Sequence, residues 1–254
     1  MQKRFESKVA LVTGGTSGLG RDAALAFARE GAKVVISGRR REPGEQTVAI
    51  ISKAGGEAHF VQADVSKPAE AECMVRACVE CYGGLDYAFN NAGIEGGAMV
   101  HIADVEPSAW DRVIGTNLTG VFLSMKYEIR AMLQRGGGAI VNNSAVAGYK
   151  SSKVVGAAYV ASKHGVNGLT KTGALEYADK NIRVNAVCPA MIRTPMSEQT
   201  LLKDKALEQR AISLHPIGRI GTPAEVTALV LWLCSDEASF VTGTAIPVDG
   251  GFLC

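Results

Sequence analysis

Seven short apolar runs recur along the chain, separated by stretches of helical spacing. The runs are Lys8–Gly14 (KVALVTG), Ala32–Gly38 (AKVVISG), Ala58–Val65 (AHFVQADV), Leu85–Gly93 (LDYAFNNAG), Gly138–Ala145 (GAIVNNSA), Ile182–Ala190 (IRVNAVCPA) and Thr244–Gly251 (TAIPVDGG). Runs this continuously apolar suit strands covered on both faces. Helical patterns fill the intervals, among them Ala69–Cys81, a long stretch Pro107–Arg135, and about Ala157 to Asp179. Strands alternating with helices imply parallel neighbours, and right-handed crossovers leave a doubly wound sheet as the simplest topology. The expected fold class is α/β, a seven-stranded parallel sheet with helices on both faces. The 254 residues suit a single domain spanning 1–254, and 47% apolar residues supply its core. The least regular stretch, Ile192–Pro223, contains a short helical patch (Ser197–Ala211) and reads as a lid over a site.

The loop TGGTSGLG (Thr13–Gly20) ends the first strand and opens the first helix. In that position a glycine loop is a phosphate cradle. Gly14 allows the tight turn, Gly18 lets backbone approach a pyrophosphate, and Gly20 lets helix and strand pack closely. The helix N-terminus supplies free N–H groups and a partial positive charge. Thr16, Ser17 and Leu19 complete the loop.

The G-x-x-x-G-x-G spacing resembles the short-chain dehydrogenase/reductase family, in its form of roughly 250 residues, and the resemblance spans nearly the whole chain. It implies a Rossmann-type fold and hydride exchange between a nicotinamide cofactor and a substrate. It places Asp64 and Val65 near the adenine, and NNAG (Asn90–Gly93, with Asn90, Ala92 and Gly93) beside the cofactor. Asn117 matches the family's catalytic asparagine, implied to order a water that links the lysine to solvent. Tyr159 and Lys163 match the Y-x-x-x-K pair. VNAVCPAMIRT supplies Pro189, Ile192 and Thr194 to the cofactor site, and PVDGG closes the pattern. Ala190 departs from it, standing where the family usually has glycine. A homotetramer is the family's usual assembly.

Which dinucleotide binds can be argued from charge. The second strand ends VVISGRR, and the acid that would bond a ribose 2′-hydroxyl is replaced by Gly38. Arg39 and Arg40 follow, and a guanidinium fork suits a 2′-phosphate. The expected cofactor is NADP(H) in preference to NAD(H). The alternative is that Arg39 only stacks on the adenine. Ser17, where some NADP-preferring relatives carry arginine, counts against the assignment.

Tyr159 and Lys163 lie one helical turn apart on one face. A free phenol titrates near ~10, and a neighbouring ammonium favours its anion. Tyr159 is therefore the expected proton donor and acceptor, while Lys163 also holds the nicotinamide ribose. The serine that should assist is displaced. Relatives commonly read N-x-S-S-x-A-G or N-x-A-S-x-A-G here, whereas this chain reads NNSAVAG. Ser144 precedes the catalytic position, and Ala145 fills it. Three arrangements fit the sequence: a bulge brings Ser144 into the site, Ser151 or Ser152 substitutes, or the site has no serine.

The expected function is hydride transfer between NADP(H) and a secondary alcohol/ketone pair. The alternatives are a dinucleotide-binding sensor or scaffold with weak turnover, motivated by Ala145, and a hydro-lyase or epimerase. Glu95, Tyr149, Val154, Met191 and Met196 are candidate substrate walls by position. Net charge is +2, which gives no footprint for nucleic acid, and no apolar run is long enough to span a bilayer. Cys78 and Cys81 form a lone C-x-x-C, the four histidines are scattered, and no metal site is expected. A cytoplasmic, reducing location is the default reading.

Overall fold

The described structure, a computed structural model, comprises residues 3–96, 100–151, 154–200 and 202–254. Strand β1 (Val9–Thr13) leads through the glycine loop into helix α1 (Gly18–Arg29). There follow β2 (Lys33–Gly38), α2 (Arg41–Lys53), β3 (Ala58–Gln62), α3 (Pro68–Tyr82) and β4 (Tyr87–Asn90). Helices α4 (Pro107–Ile114) and α5 (Gly120–Arg135) precede β5 (Gly138–Asn143), and α6 (Ala157–Tyr177) precedes β6 (Ile182–Pro189). The β6-to-β7 connection carries α7 (Pro195–Gln199), α8 (Lys205–Ser213) and α9 (Pro223–Cys234) before β7 (Ala245–Val248).

The seven strands form one parallel sheet in the order β3-β2-β1-β4-β5-β6-β7. Strand order reverses between β1 and β4, which opens a crevice at the carboxyl ends of the strands. Alternate residues of β1 enter two separate cores. Ala10 and Val12 pack with Phe27 of α1 and Val230 of α9, while Val9 and Leu11 pack with Met74 of α3 and Ile129 of α5. Both faces of the sheet are thus covered, as the apolar runs require. Phe5, wholly buried, has its ring centre 5.4 Å from Phe27 and 5.0 Å from Tyr87, and so pins the N-terminal segment to the first core.

Three departures from the expected elements have a readable local cause or form. The third strand stops at Gln62 because the Asp64 carboxylate accepts bonds from the Ser66 N–H (3.0 Å) and hydroxyl (2.7 Å), turning the chain into α3. The long stretch Pro107–Arg135 is interrupted by a π-helical turn at Gly115–Thr119, which holds Asn117. The expected patch Ser197–Ala211 is two helices. Thr194 and Ser197 form a reciprocal cap that starts α7 at Pro195, and the Asp204 carboxylate caps Leu207 N–H to start α8. The connection has its own small cluster of Leu202, Ala211 and Ile220, distinct from both main cores. Helix α9 is additional to the expected elements. Its Thr222-Pro-x-Glu225 capping box, followed by an apolar run, was the available signal.

Candidate active site

The glycine loop places backbone where a side chain would not fit. Gly14 has φ +67°, and a Cβ on Gly20 would stand 2.4 Å from the Gly14 carbonyl. Ser17 precedes α1 in an extended conformation without capping it, and the first turn contains no acid. The N–H groups of that turn are therefore not taken by a side-chain cap, and the helix dipole favours an anion there.

A cleft of about 380 Å³ runs from this loop across the strand ends to α6 and α7. Thr16, Ser17, Gly18 and Leu19 line one end with Gly14, beside Arg39, Arg40, Asp64 and Val65. The Arg40 guanidinium donates to Ser17 Oγ at 3.1 Å and Thr16 Oγ1 at 3.3 Å, which sets its charge on the rim of the glycine loop. A Cβ at Gly38 would meet Thr16 Cγ2 at 2.6 Å, so a carboxylate side chain does not fit there as the chain stands. Burial works against ionisation of Asp64, but the Ser66 hydrogen bonds and the charges of Arg39 and Lys67 outweigh it. The carboxyl stays below its ordinary range.

Asn91, Ala92 and Gly93 line the middle of the cleft. Asn91 Nδ2 donates to Thr13 O (3.0 Å), and its Oδ1 accepts from Asn143 Nδ2 (3.1 Å), tying β1, β4 and β5 together at their ends. Asn91, and not the expected Asn90, is the asparagine of this motif on the lining. Asn90 does not line the cleft. It is buried and donates to Glu128 Oε2 (2.9 Å) and Asn142 Oδ1 (3.0 Å) in the second core. Asn90 ends β4 facing the second core, and Asn91, one residue past the strand, turns to the cleft side. Gly20 serves helix packing and does not line the cleft either.

At the far end α6 presents Tyr159 and Lys163, one turn apart. Lys163 is 4% exposed. Its ammonium donates to the Asn143 carbonyl at 2.7 Å and lies 5.3 Å from the Tyr159 ring centre. Burial pushes the lysine down to about 8. Burial also raises the Tyr159 phenol well above its ordinary value, and the nearby Glu95 and Cys188 add to the rise. In the protein alone Tyr159 is thus held protonated, as a proton donor must be. Pro189, Ile192 and Thr194 line the same end.

No bulge moves Ser144. Strand register runs unbroken from Gly138↔Ile182 to Asn143↔Val187, and Ser144 N–H continues it to Val187 O at 2.9 Å. The Ser144 hydroxyl, 2% exposed, donates to the Lys163 carbonyl at 3.1 Å. Ala145, in extended backbone, also lines the cleft. The expected bulge is therefore absent: Ser144 borders the cleft on a regular strand end, and its hydroxyl bonds the helix behind. Ser151 is exposed and does not line the cleft, and Ser152 lies outside the described residues.

Asn117 is buried within the π-helical turn. Its Oδ1 accepts from Ile94 N–H (2.8 Å), and its Nδ2 donates to Ile94 O (2.9 Å), so the side chain clamps the loop that follows β4. A π-turn at such a place is a recurrent feature of functional sites. Of the expected substrate walls, Glu95, Met191 and Met196 line the cleft. Tyr149 is half exposed with its hydroxyl on the Ala245 carbonyl, and Val154 is not on the lining. Among the described residues no three metal-ligating side chains cluster, and Cys78 is buried while Cys81 is exposed. No helix among them is long and apolar enough to cross a membrane.

A family model described as enoyl-(acyl carrier protein) reductase matches residues 14–253. The cyclohexanol dehydrogenase of Acinetobacter sp. (strain SE19) is 44% identical over 252 residues, covering 99% of this chain and 97% of that protein. The 2,5-dichloro-2,5-cyclohexadiene-1,4-diol dehydrogenase of Sphingobium indicum is 40% identical, covering 98% of each. The crystal structure of levodione reductase superposes with a TM-score of 0.92 at 38% identity, covering 98% of each chain.

Proposed function

Given that the chain belongs to the short-chain dehydrogenase/reductase family, we propose that its cleft exchanges hydride between NADP(H) and a secondary alcohol/ketone pair, with Tyr159 moving the proton. Oxidoreductase action on secondary alcohols and ketones follows from the family and from relatives named for cyclohexanol and levodione. The observation that carries the residue assignment is the buried Lys163 ammonium beside the Tyr159 ring, at the end of a cleft whose other end is an uncapped helix N-terminus.

The residues present fit a dinucleotide phosphate. The first turn of α1 would hold the pyrophosphate, Asp64 and Val65 the adenine, and Lys163 the nicotinamide ribose. Arg39 and Arg40, with no carboxylate at position 38, favour the 2′-phosphate of NADP(H). When bound, the nicotinamide supplies hydride to a carbonyl or accepts it from an alcohol. Tyr159 donates its phenolic proton to the substrate oxygen in reduction and recovers it in oxidation. Lys163 stabilises the phenolate left behind. Ser144 acts from the rear, fixing the α6 backbone at Lys163. Asn117 holds the Ile94 backbone and so shapes the wall.

The segment 192–223 acts as the lid of a one-domain enzyme. Exposed apolar side chains on α5 and α6, Phe122 and Leu175, support a homotetramer, and six unpaired cysteines support a reducing, cytoplasmic setting. Initial rates with NADPH and NADH on a cyclic ketone test the assignment. Faster turnover with NADPH supports it. Tight NADPH binding without turnover across ketones would favour a sensor instead, the reading that the Ala145 methyl leaves open.

A further inference from the structure

Glu95 is the acid at the substrate end of the cleft, with Met191 and Met196 as neighbours on the lining. The mechanism above gives it no task. Its position is nevertheless closely set, because Asn117 bonds both the N–H and the carbonyl of the preceding Ile94. One carboxyl oxygen, Oε1, accepts from Thr200 Oγ1 at 3.3 Å, which joins the β4 loop to the end of α7. That hydroxyl has one proton and also faces the Met196 carbonyl at 3.0 Å, so it satisfies Glu95 only in part. Among the described residues Glu95 has no other hydrogen-bond donor. Half burial among apolar groups raises its carboxyl above the ordinary range, although the Thr200 bond opposes this.

A carboxyl so placed selects. A substrate with only one oxygen would bury Glu95 against carbon and cover a polar group without pairing it. An anionic substrate would meet it charge to charge. An ammonium would have to lose its hydration in a largely apolar wall. A neutral hydroxyl donates one hydrogen bond at little desolvation cost. We propose that Glu95 is a substrate-selecting residue that accepts a hydrogen bond from a second hydroxyl, so that the site prefers a neutral hydroxyketone or diol over a ketone or alcohol with one oxygen. The proposal rests on the alcohol/ketone reading of the cleft and specifies its substrate class.

The test compares kcat and KM for cyclohexanone, 4-hydroxycyclohexanone, 4-aminocyclohexanone and 4-oxocyclohexanecarboxylate in wild type, Glu95→Gln and Glu95→Leu. Wild type should favour the hydroxyketone over cyclohexanone by about 10- to 100-fold in kcat/KM, mainly through KM. Glu95→Leu should erase or reverse that ratio while still reducing cyclohexanone. Glu95→Gln should keep part of it, through its amide oxygen, and should accept the carboxylate better than wild type does. If wild type shows no preference, or Glu95→Leu leaves the ratio intact, the inference fails and the alcohol/ketone reading stands. A stronger preference for the aminoketone would overturn the hydroxyl assignment. No reduction of any of the four with NADPH or NADH would overturn both. The wild-type ratio decides even if Glu95→Leu does not fold.

Discussion

The Lys163 ammonium lies 5.3 Å from the centre of the Tyr159 ring and donates a 2.7 Å hydrogen bond to the Asn143 carbonyl. The carbonyl orients it, and burial lowers it from the ordinary 10.5 to about 8. From about pH 8 to 10.5 the native state has lost a proton that the unfolded chain keeps, so stability rises with pH in that window. Each unit is worth about 1.4 kcal/mol. Lys163→Met should abolish that rise in thermal melts of the cofactor-free protein. It should also cut kcat about 100-fold and raise KM for the cofactor.

The Ser144 hydroxyl bonds the Lys163 carbonyl, and Ala145 lies next to it on the cleft lining. Ser144→Ala therefore loses one hydrogen bond worth about 1 kcal/mol, and kcat should fall by no more than about 5-fold. Ala145→Ser should restore a donor to the substrate oxygen and raise kcat about 10-fold or more, within the range such donors supply. A Ser144→Ala loss as large as that of Tyr159→Phe, seen in steady-state kinetics, would put Ser144 on the substrate.

Arg40 binds the glycine loop through Thr16 and Ser17, and its neighbour Arg39, also exposed, lies on the same end of the cleft lining. Arg39→Ala should raise KM for NADPH by about 10-fold and leave NADH unchanged. Arg40→Ala should weaken both cofactors, NADPH more, because the loop also loses its tie. Fluorescence titration of each cofactor separates the two patterns.

Glu128 is fully buried in the second core. Its Oε2 accepts from Asn90 at 2.9 Å, and its Oε1 has no partner among the described residues. Burial pushes its carboxyl up to about 8, against the opposing effect of the Asn90 bond. Between the ordinary value of 4.5 and about 8 the native state keeps a proton that the unfolded chain sheds, so stability falls as pH rises. Glu128→Gln should match wild type near pH 5 and melt higher near pH 8.

The sheet was legible because strands buried on both faces carry continuous apolar runs, and the glycine loop because backbone approach leaves few residue choices. Tyr159 and Lys163 were legible as an i, i+4 pair, and the cleft lining includes both. Side-chain direction was harder to read. Asn90 and Asn142 face the same core at paired positions, and the Ser144 hydroxyl, two residues beyond Asn142, bonds the α6 backbone while the residue itself borders the cleft. A shifted serine motif suggested a bulge where the strand end is regular. Glu95 takes its hydrogen bond from Thr200, 105 residues later, a tertiary contact with no local signal.

The most direct test is NADPH oxidation driven by a cyclic ketone, in wild type and Tyr159→Phe, with NADPH binding measured in both. Wild type should turn over. Tyr159→Phe should bind NADPH within a few-fold of wild type and lose about 10²–10⁴-fold in kcat, the usual worth of a positioned proton donor. Turnover undiminished in Tyr159→Phe would contradict the account.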